Sequence, residues 1–272
     1  MGVSLSTARY LAPASFLVNF AAQQYGMLSR PNMKNIHDAN LSFFSPQPFF
    51  IAAFFFPQQL IQLAWLWRLW RAPRQGMIVN ANDDDDGDDA NDDDAADAAV
   101  VQMVDYAPYY ALGNLCIASW MVFWNRRALA TSDVFVAINT LAQLYYVAAR
   151  LGPVGDNGTS SSFPFFSSSS SSFLTHTVAK TFAGIGVLDL LHNTAAAFAV
   201  NQPASTPVRV LTGLGFGALA ARSDWVFGGC LVYDLVALAV GQRAYGQPGW
   251  SNLLGVYAVG TAAIVSVRNW RK

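Results

Sequence analysis

Long uncharged apolar runs, separated by short polar or basic connections, dominate the chain. The clearest is Phe43–Arg71, which carries no charge from Pro46 until Arg68. As a helix it is long enough to cross a hydrocarbon core of roughly 30 Å. It ends in Trp65, Trp67 and Trp70 interleaved with Arg68 and Arg71. Amphipathic rings at headgroup depth, with cations just beyond, mark where a spanning helix leaves the bilayer. Pro57 removes one backbone donor inside this run, so a kink is expected there. Similar runs predict helices at Ala8–Leu28, Tyr106–Ala128, Val134–Arg150, Val178–Val200, Trp225–Gly241 and Trp250–Val267, with a shorter one at Pro207–Ala221. The pattern therefore predicts an all-α fold, a polytopic integral membrane bundle of seven or eight transmembrane helices in a single domain over residues 1–272. The count turns on whether 207–221 crosses or re-enters.

The connections add detail. The first helix is the least hydrophobic, with Asn19, Gln23 and Gln24 in its second half, and a polar connection carrying Lys34, His37 and Asp38 follows Arg30-Pro31. Asp133 is placed to cap the fourth helix, and Thr206-Pro207 to open the sixth. Gly213, Gly217 and Ala221 form a small-residue stripe suited to close helix approach. The Asp-rich stretch 78–100 and the Ser-rich stretch 152–175 read as disordered loops, since neither can bury apolar area. A calcium loop at Asp83–Asp94 would lack its bidentate Glu, because the chain contains none.

Composition changes the picture in one respect. The formal net charge of -1 hides a basic remainder, since ten of the 17 acidic residues fall between Asp83 and Asp97. Ten Lys and Arg cluster at the helix ends on the side of both termini, and six at the opposite ends, which places the termini in the cytoplasm. Without aromatic and basic interleaving beyond the helix ends, nucleic acid is excluded as a partner; the partner expected is the lipid bilayer. Cys116 and Cys230 lie in apolar helices without metal-ligand spacing. No cleavable signal pattern opens the chain, although Met1-Gly2-Val3-Ser4-Leu5-Ser6 fits the myristoylation pattern.

Polar residues stranded in apolar helices are the candidates for chemistry. Asp189, His192 and Asn193 share one helical face, and Asp234 stands alone in its own helix. An ionised side chain at mid-membrane costs roughly 2.5–3.5 kcal/mol on insertion scales, so such groups mark functional sites by default. Asp189 and His192 suit ligand binding or proton handling, or else an Asp that merely orients its His. His192, Lys180 and Arg209 are the conceivable partners for Asp234. Amide pairs at helical spacing, Asn19 with Gln23, Gln58 with Gln62 and Asn139 with Gln143, either join helices or line a polar pocket. Trp120 and Trp124 are packing residues or apolar walls of such a pocket. No nucleophile elbow, HExxH or phosphate-cradling loop is present, and no catalytic residue, metal site or cofactor is assigned.

The stretch from the second to the fourth helix resembles the tryptophan-rich sensory protein (translocator protein) family. Ser45-Pro46-Gln47-Pro48-Phe49-Phe50 is similar to that family's proline-rich, aromatic opening of the second helix. Asn114, Trp120, Phe123, Trp124 and Arg126-Arg127 resemble its third-helix pattern. The fifth helix departs, with Leu188-Asp189-Leu190-Leu191-His192-Asn193 where the family has Pro-Tyr and Trp. The resemblance implies a pocket for a flat hydrophobic small molecule, tetrapyrrole- or sterol-like. Its contacts would come from Asn114, Trp120, Trp124, Asp189, His192, Asn193, Asp234, Gln58 and Gln62. Phe56-Pro57-Gln58 also resembles the PQ-loop transporters, without their second Pro-Gln. An isomerase or cyclase using Asp189 or Asp234 as proton donor, and a scaffold without chemistry, are the other readings.

Overall fold

The computed structural model describes residues 3–73, 90–151 and 169–270, with side chains described from 97 and 172 onward after the two breaks. Among these residues every regular element is helical. The helices are α1 (Leu5–Leu28), α2 (Met33–Ala39), α3 (Pro48–Arg71), α4 (Ala90–Asn125), α5 (Leu129–Tyr145), α6 (Ser169–Phe198), α7 (Thr206–Ala220), α8 (Trp225–Ala244) and α9 (Pro248–Trp270). A π turn, Tyr146–Arg150, prolongs α5.

Side-chain contacts give each helix its direction. Arg9, early in α1, donates to the carbonyls of Leu69 and Ala72 at the end of α3, so the two run antiparallel. α4 runs with α1, because Asn19 meets Asn114 and Ser29 meets Asn125. α5 runs against α4, with Gln143 beside Tyr106 and Ser132 beside Trp120. α6 returns parallel to α4, Gln102 meeting His176 and Trp120 meeting Asn193. α9 runs against α8, since Ser251 donates to Ala239 near one end and Gly228 faces Val265 near the other. α7 follows the direction of α9, with Tyr257 on the Arg209 carbonyl and Arg268 on that of Ala221. The eight long helices thus alternate in direction, and the start of α1 and the end of α9 share one end of the bundle. The short α2 lies at the opposite end.

Beside an apolar core, several polar side chains are buried while many large apolar ones are exposed. Gln62, Asn114, Asn139, Gln143, Asn193 and Asp234 are each 3% exposed or less, whereas Phe56, Trp67, Leu211, Leu214 and Val259 are more than half exposed. A hydrocarbon solvent favours that arrangement, because apolar side chains lose nothing in lipid while polar ones need partners inside. Three helices, α3, α8 and α9, are long and apolar enough to cross a membrane, with mean hydropathy 1.5, 1.5 and 1.4 over their best stretches. At the exposed end of α3, Arg71 stacks 4.3 Å over the Trp67 ring and Tyr10 meets Trp70 edge-on. Trp67 and Trp70 are thus exposed beside Arg71, whereas Trp65, expected with them, is fully buried and donates to the Thr175 hydroxyl at 3.0 Å.

Several details differ from expectation. The polar connection after Pro31 contains a helix, α2, whose Asn32 and Asn35 cap each other's backbone amides and whose Lys34 and Asp38 pair one turn apart. α4 starts at Ala90 and α6 at Ser169, so both helices reach into the stretches read as loops; 74–89 and 152–168, with most of the candidate calcium loop, lie outside the described residues, as do Met1 and Gly2. Asp133 is not a cap: Ala128 precedes the helix, and Asp133 sits within α5, accepting from the Thr194 hydroxyl at 3.0 and 3.2 Å. Ser205 rather than Thr206 precedes α7. Of the small-residue stripe, Gly213 is pressed against Tyr257, where a Cβ would fall 2.8 Å from the ring, while a Cβ at Gly217 would meet nothing within 4 Å. The stripe therefore serves close packing at Gly213 and not at Gly217.

The Ser45–Pro48 opening of α3 lies across α8. The Gln47 amide donates to the Ala237 carbonyl at 3.1 Å, and the Gln242 side chain donates to the carbonyls of Ser42 and Ser45 at 2.9 and 3.1 Å. A Cβ at Gly241 would lie 2.5 Å from the Ser45 carbonyl oxygen and 2.6 Å from the Gln47 nitrogen. Only glycine permits that approach of backbone to backbone.

Candidate functional site

α6 and α8 run side by side in the same direction and meet at three levels. At the end shared by the chain termini, Lys180 pairs with Asp224, which also caps α8 by accepting from the Phe227 amide at 3.0 Å. Burial pushes the Asp224 carboxyl up, but the Lys180 bond and charge with the Phe227 amide outweigh it and hold the group below its ordinary value. His176 extends this cluster, with Nδ1 2.9 Å from Lys180 Nζ and Nε2 3.1 Å from the Gln102 amide. At the next level the helices touch: a Cβ on Gly184 would fall 2.3 Å from the Cβ of Cys230.

The third level holds the carboxyl pair. Asp234 is fully buried, and neither of its oxygens has a hydrogen-bond partner. Asp189, five residues past Gly184 on α6, stands near the level of Asp234, four residues past Cys230 on α8. Asp189 is half-buried and keeps part of its surface accessible. None of the expected partners serves Asp234. Lys180 pairs with Asp224, Arg209 donates to the Ala204 carbonyl, and His192 meets His37. A buried anion without partners costs several kcal/mol. Two carboxyls near one level of an apolar interior call for a shared proton or a cationic partner.

One turn beyond Asp189, His192 joins a second cluster at the α2 end. His37 Nδ1 lies 3.1 Å from His192 Nε2, and His37 Nε2 lies 3.1 Å from the Tyr245 hydroxyl. The Tyr245 hydroxyl also reaches the Pro46 carbonyl at 3.3 Å. Burial lowers His37 to about 4, with Asp38 opposing and Lys34 adding to the shift. Tyr245 is pushed up to about 12, by burial first and then by Asp38. The Trp124 ring packs 5.7 Å from His192, and its indole N–H donates to the Met33 carbonyl at 3.2 Å. His37 and Tyr245 were not foreseen as site residues, since both stand in connections. The Asn32 and Asn35 capping pattern with Lys34 and Asp38 was the signal that the segment folds and presents His37 inward.

The other candidate residues are spent on helix joining. Trp120 donates to Asn193 at 2.7 Å, and Asn193 donates to the Asp189 carbonyl at 2.7 Å. Asn114 accepts from Asn19 and donates to the Tyr110 carbonyl, and Gln62 accepts from the Tyr110 hydroxyl. Gln58 differs, for it is 3% exposed and neither polar atom of its amide has a partner. A groove of about 530 Å³ between α8 and α9, lined by Ala239, Ser251, Gly255 and Val259 among others, contains none of these residues. Among the described residues no group of three or more His, Cys or Asp is placed to hold a metal ion. No protein-family model, curated protein or solved structure matches the chain.

Proposed function

We propose that this is a multi-pass membrane protein that binds or moves a small, largely hydrophobic molecule inside its bundle, at the seam between α6 and α8. In this reading all eight long helices cross the bilayer, α7 included, and the larger cluster of cations places both termini in the cytoplasm. One observation carries the site: Asp234 is wholly buried and without a hydrogen-bond partner, near the level of Asp189 on the neighbouring helix. A solute with an apolar body and one cationic or hydrogen-donating group would satisfy both the pair and its surroundings. The tetrapyrrole- or sterol-like class implied by the family resemblance fits if it carries such a group. Native mass spectrometry of the protein purified in mild detergent tests the reading. A bound small molecule is expected in the wild type and lost in Asp234→Asn and Asp189→Asn; retention in both folded variants overturns it.

The placing of Asp189 and Asp234 near one level also favours a second reading, a membrane-embedded isomerase or cyclase with the pair as proton donor. Turnover of the co-purified molecule into an isomer, abolished by Asp234→Asn, separates this from simple binding.

A further inference from the structure

We propose that Tyr245, His37 and His192 form a proton-transfer line that serves the Asp189–Asp234 pair from the end of the bundle covered by α2. The inference rests on the reading of that pair as the working site and adds the route by which protons reach it. Three elements contribute one group each, and both junctions measure 3.1 Å. Tyr245, partly exposed among the exposed residues Arg243, Ala244, Gly246 and Gln247, is the contact with water. His192 sits inside, one helical turn from Asp189, with roughly 5–6 Å between Cβ atoms at such spacing.

The line is consistent with two opposite arrangements of protons. In one, Tyr245 donates to His37 Nε2, His37 Nδ1–H donates to His192 Nε2, and the remaining proton is on His192 Nδ1. In the other, His192 Nε2–H donates to His37 Nδ1, His37 Nε2–H donates to the Tyr245 oxygen, and Tyr245 donates to Pro46. His192 Nδ1 is then a bare lone pair, and this nitrogen has no hydrogen-bond partner. Passage between the arrangements moves one proton. It enters at His37 Nε2 by way of the Tyr245 hydroxyl, which takes a proton as it gives its own. His37 passes its Nδ1 proton to His192 Nε2, and His192 gives its Nδ1 proton to a carboxylate of the pair. The lowered pKa of His37 keeps it neutral at neutral pH, suiting it to relay rather than to hold charge. The other titratable and charged groups around the line are Lys34 and Asp38 on α2, and Cys230 and Tyr233 beside Asp234.

The opposite approach is closed. Between the carboxyl pair and Lys180, Gly184 packs so closely on Cys230 that no Cβ would fit, and Phe182, Ile185 and Leu231 are each 2% exposed or less. Protons therefore arrive from one side of the bundle.

Infrared spectroscopy of the full chain in lipid nanodiscs tests the proposal. A protonated-carboxyl carbonyl band, identified by its loss in Asp234→Asn or Asp189→Asn, is followed on transfer into heavy water. Its exchange is expected to slow roughly tenfold or more in His192→Gln and His37→Gln, as when a positioned proton donor is removed, and less in Tyr245→Phe. Wild-type exchange rates in folded His192→Gln and His37→Gln overturn the proposal, as does the absence of such a band at every pH. Should the histidine variants fail to fold, Tyr245→Phe decides, because it removes only one hydroxyl: slowed exchange supports the line and unchanged exchange overturns it. Native mass spectrometry on the same samples keeps the two readings apart. A retained small molecule with unaltered exchange rejects the line alone, and slowed exchange without a bound molecule rejects the solute reading alone.

Discussion

Two regions of the same interior treat their polar side chains in opposite ways. Among α1, α3, α4 and α5 most buried polar side chains are matched, the Gln58 amide and the amide oxygens of Asn125 and Asn139 excepted. Tyr110 donates to Gln62 at 2.8 Å, Tyr106 to Gln143 at 3.0 Å and Asn19 to Asn114 at 2.8 Å, while Trp65 reaches across to Thr175 on α6 at 3.0 Å. At the seam of α6 and α8, Asp234 is matched by nothing. Gln58 and Gln62 show the contrast on one helix: they lie one turn apart, both are 3% exposed, and only Gln62 has its partner. Matched groups hold helices together. Unmatched ones burden the fold, and their retention points to use.

The largest effect comes from prising the α3 opening off α8. Gly241→Leu forces a side chain into the backbone of Ser45 and Gln47, which cannot yield without moving the α3 opening that carries Pro46 and supports Tyr245. A loss above about 3 kcal/mol is expected, enough to deplete the folded protein. Gly217→Leu is the control, since its side chain meets nothing, and a gain of up to about 1 kcal/mol from helix propensity is expected. Thermal unfolding in detergent, followed by circular dichroism, reads both; equal effects at the two glycines would refute the close approach at Gly241.

Next in size is a pH effect at the α2 end. His37 falls from 6.5 to about 4 in the folded chain, so the unfolded state takes the proton first as the pH drops. Its contribution is complete above pH 6.5 and is lost as the pH falls toward 4. Over that window the loss is on the order of 3 kcal/mol. His37→Gln should flatten this part of the stability profile. A profile unchanged by the substitution would mean that His37 titrates normally.

Removing partners should give opposite signs in the two regions. Gln62→Met leaves the Tyr110 hydroxyl buried and unpaired, costing about 1–3 kcal/mol, and adding Tyr110→Phe should recover part of it. Asp234→Leu removes a carboxyl that has no bond to lose, so unchanged stability or a gain of about 1–3 kcal/mol is expected. Chemical denaturation in mixed micelles measures both. A loss for Asp234→Leu as large as that for Gln62→Met would show that the carboxyl is structurally held after all.

The helices were legible because an apolar run bounded by basic residues has one stable form in lipid. The shared end for both termini was not fixed in advance, because the sequence left open whether 207–221 crosses or re-enters. Within the helices the sequence named the right residue types and could not assign their partners. Asn19, Gln62 and Gln143 read as joiners or pocket walls alike, because the partner that decides lies on another helix. Asp234 was expected to seek His192, Lys180 or Arg209; each of these is engaged elsewhere, by His37, Asp224 and Ala204. His37 escaped notice because a histidine in a polar connection is ordinarily solvated, and only the folding of α2 turns it inward. The Asp133 cap failed for a related reason: helix α5 begins four residues earlier, at Leu129, and Thr194 on α6 supplies the hydroxyl that Asp133 accepts from.

The smallest effect gives the sharpest comparison, because helix, face and residue type are all held constant. Gln58→Met keeps the side chain's length and removes two polar atoms that bond to nothing. Its stability should be unchanged or rise by less than about 1 kcal/mol, against the loss expected for Gln62→Met one turn away. If Gln58 contacts the solute bound at the seam, Gln58→Met should also release that molecule in native mass spectrometry while the fold gains stability. Release with a stable fold assigns Gln58 to the site. Retention leaves the carboxyl pair to hold the molecule without it, and a stability loss equal to that of Gln62→Met would return Gln58 to the matched region.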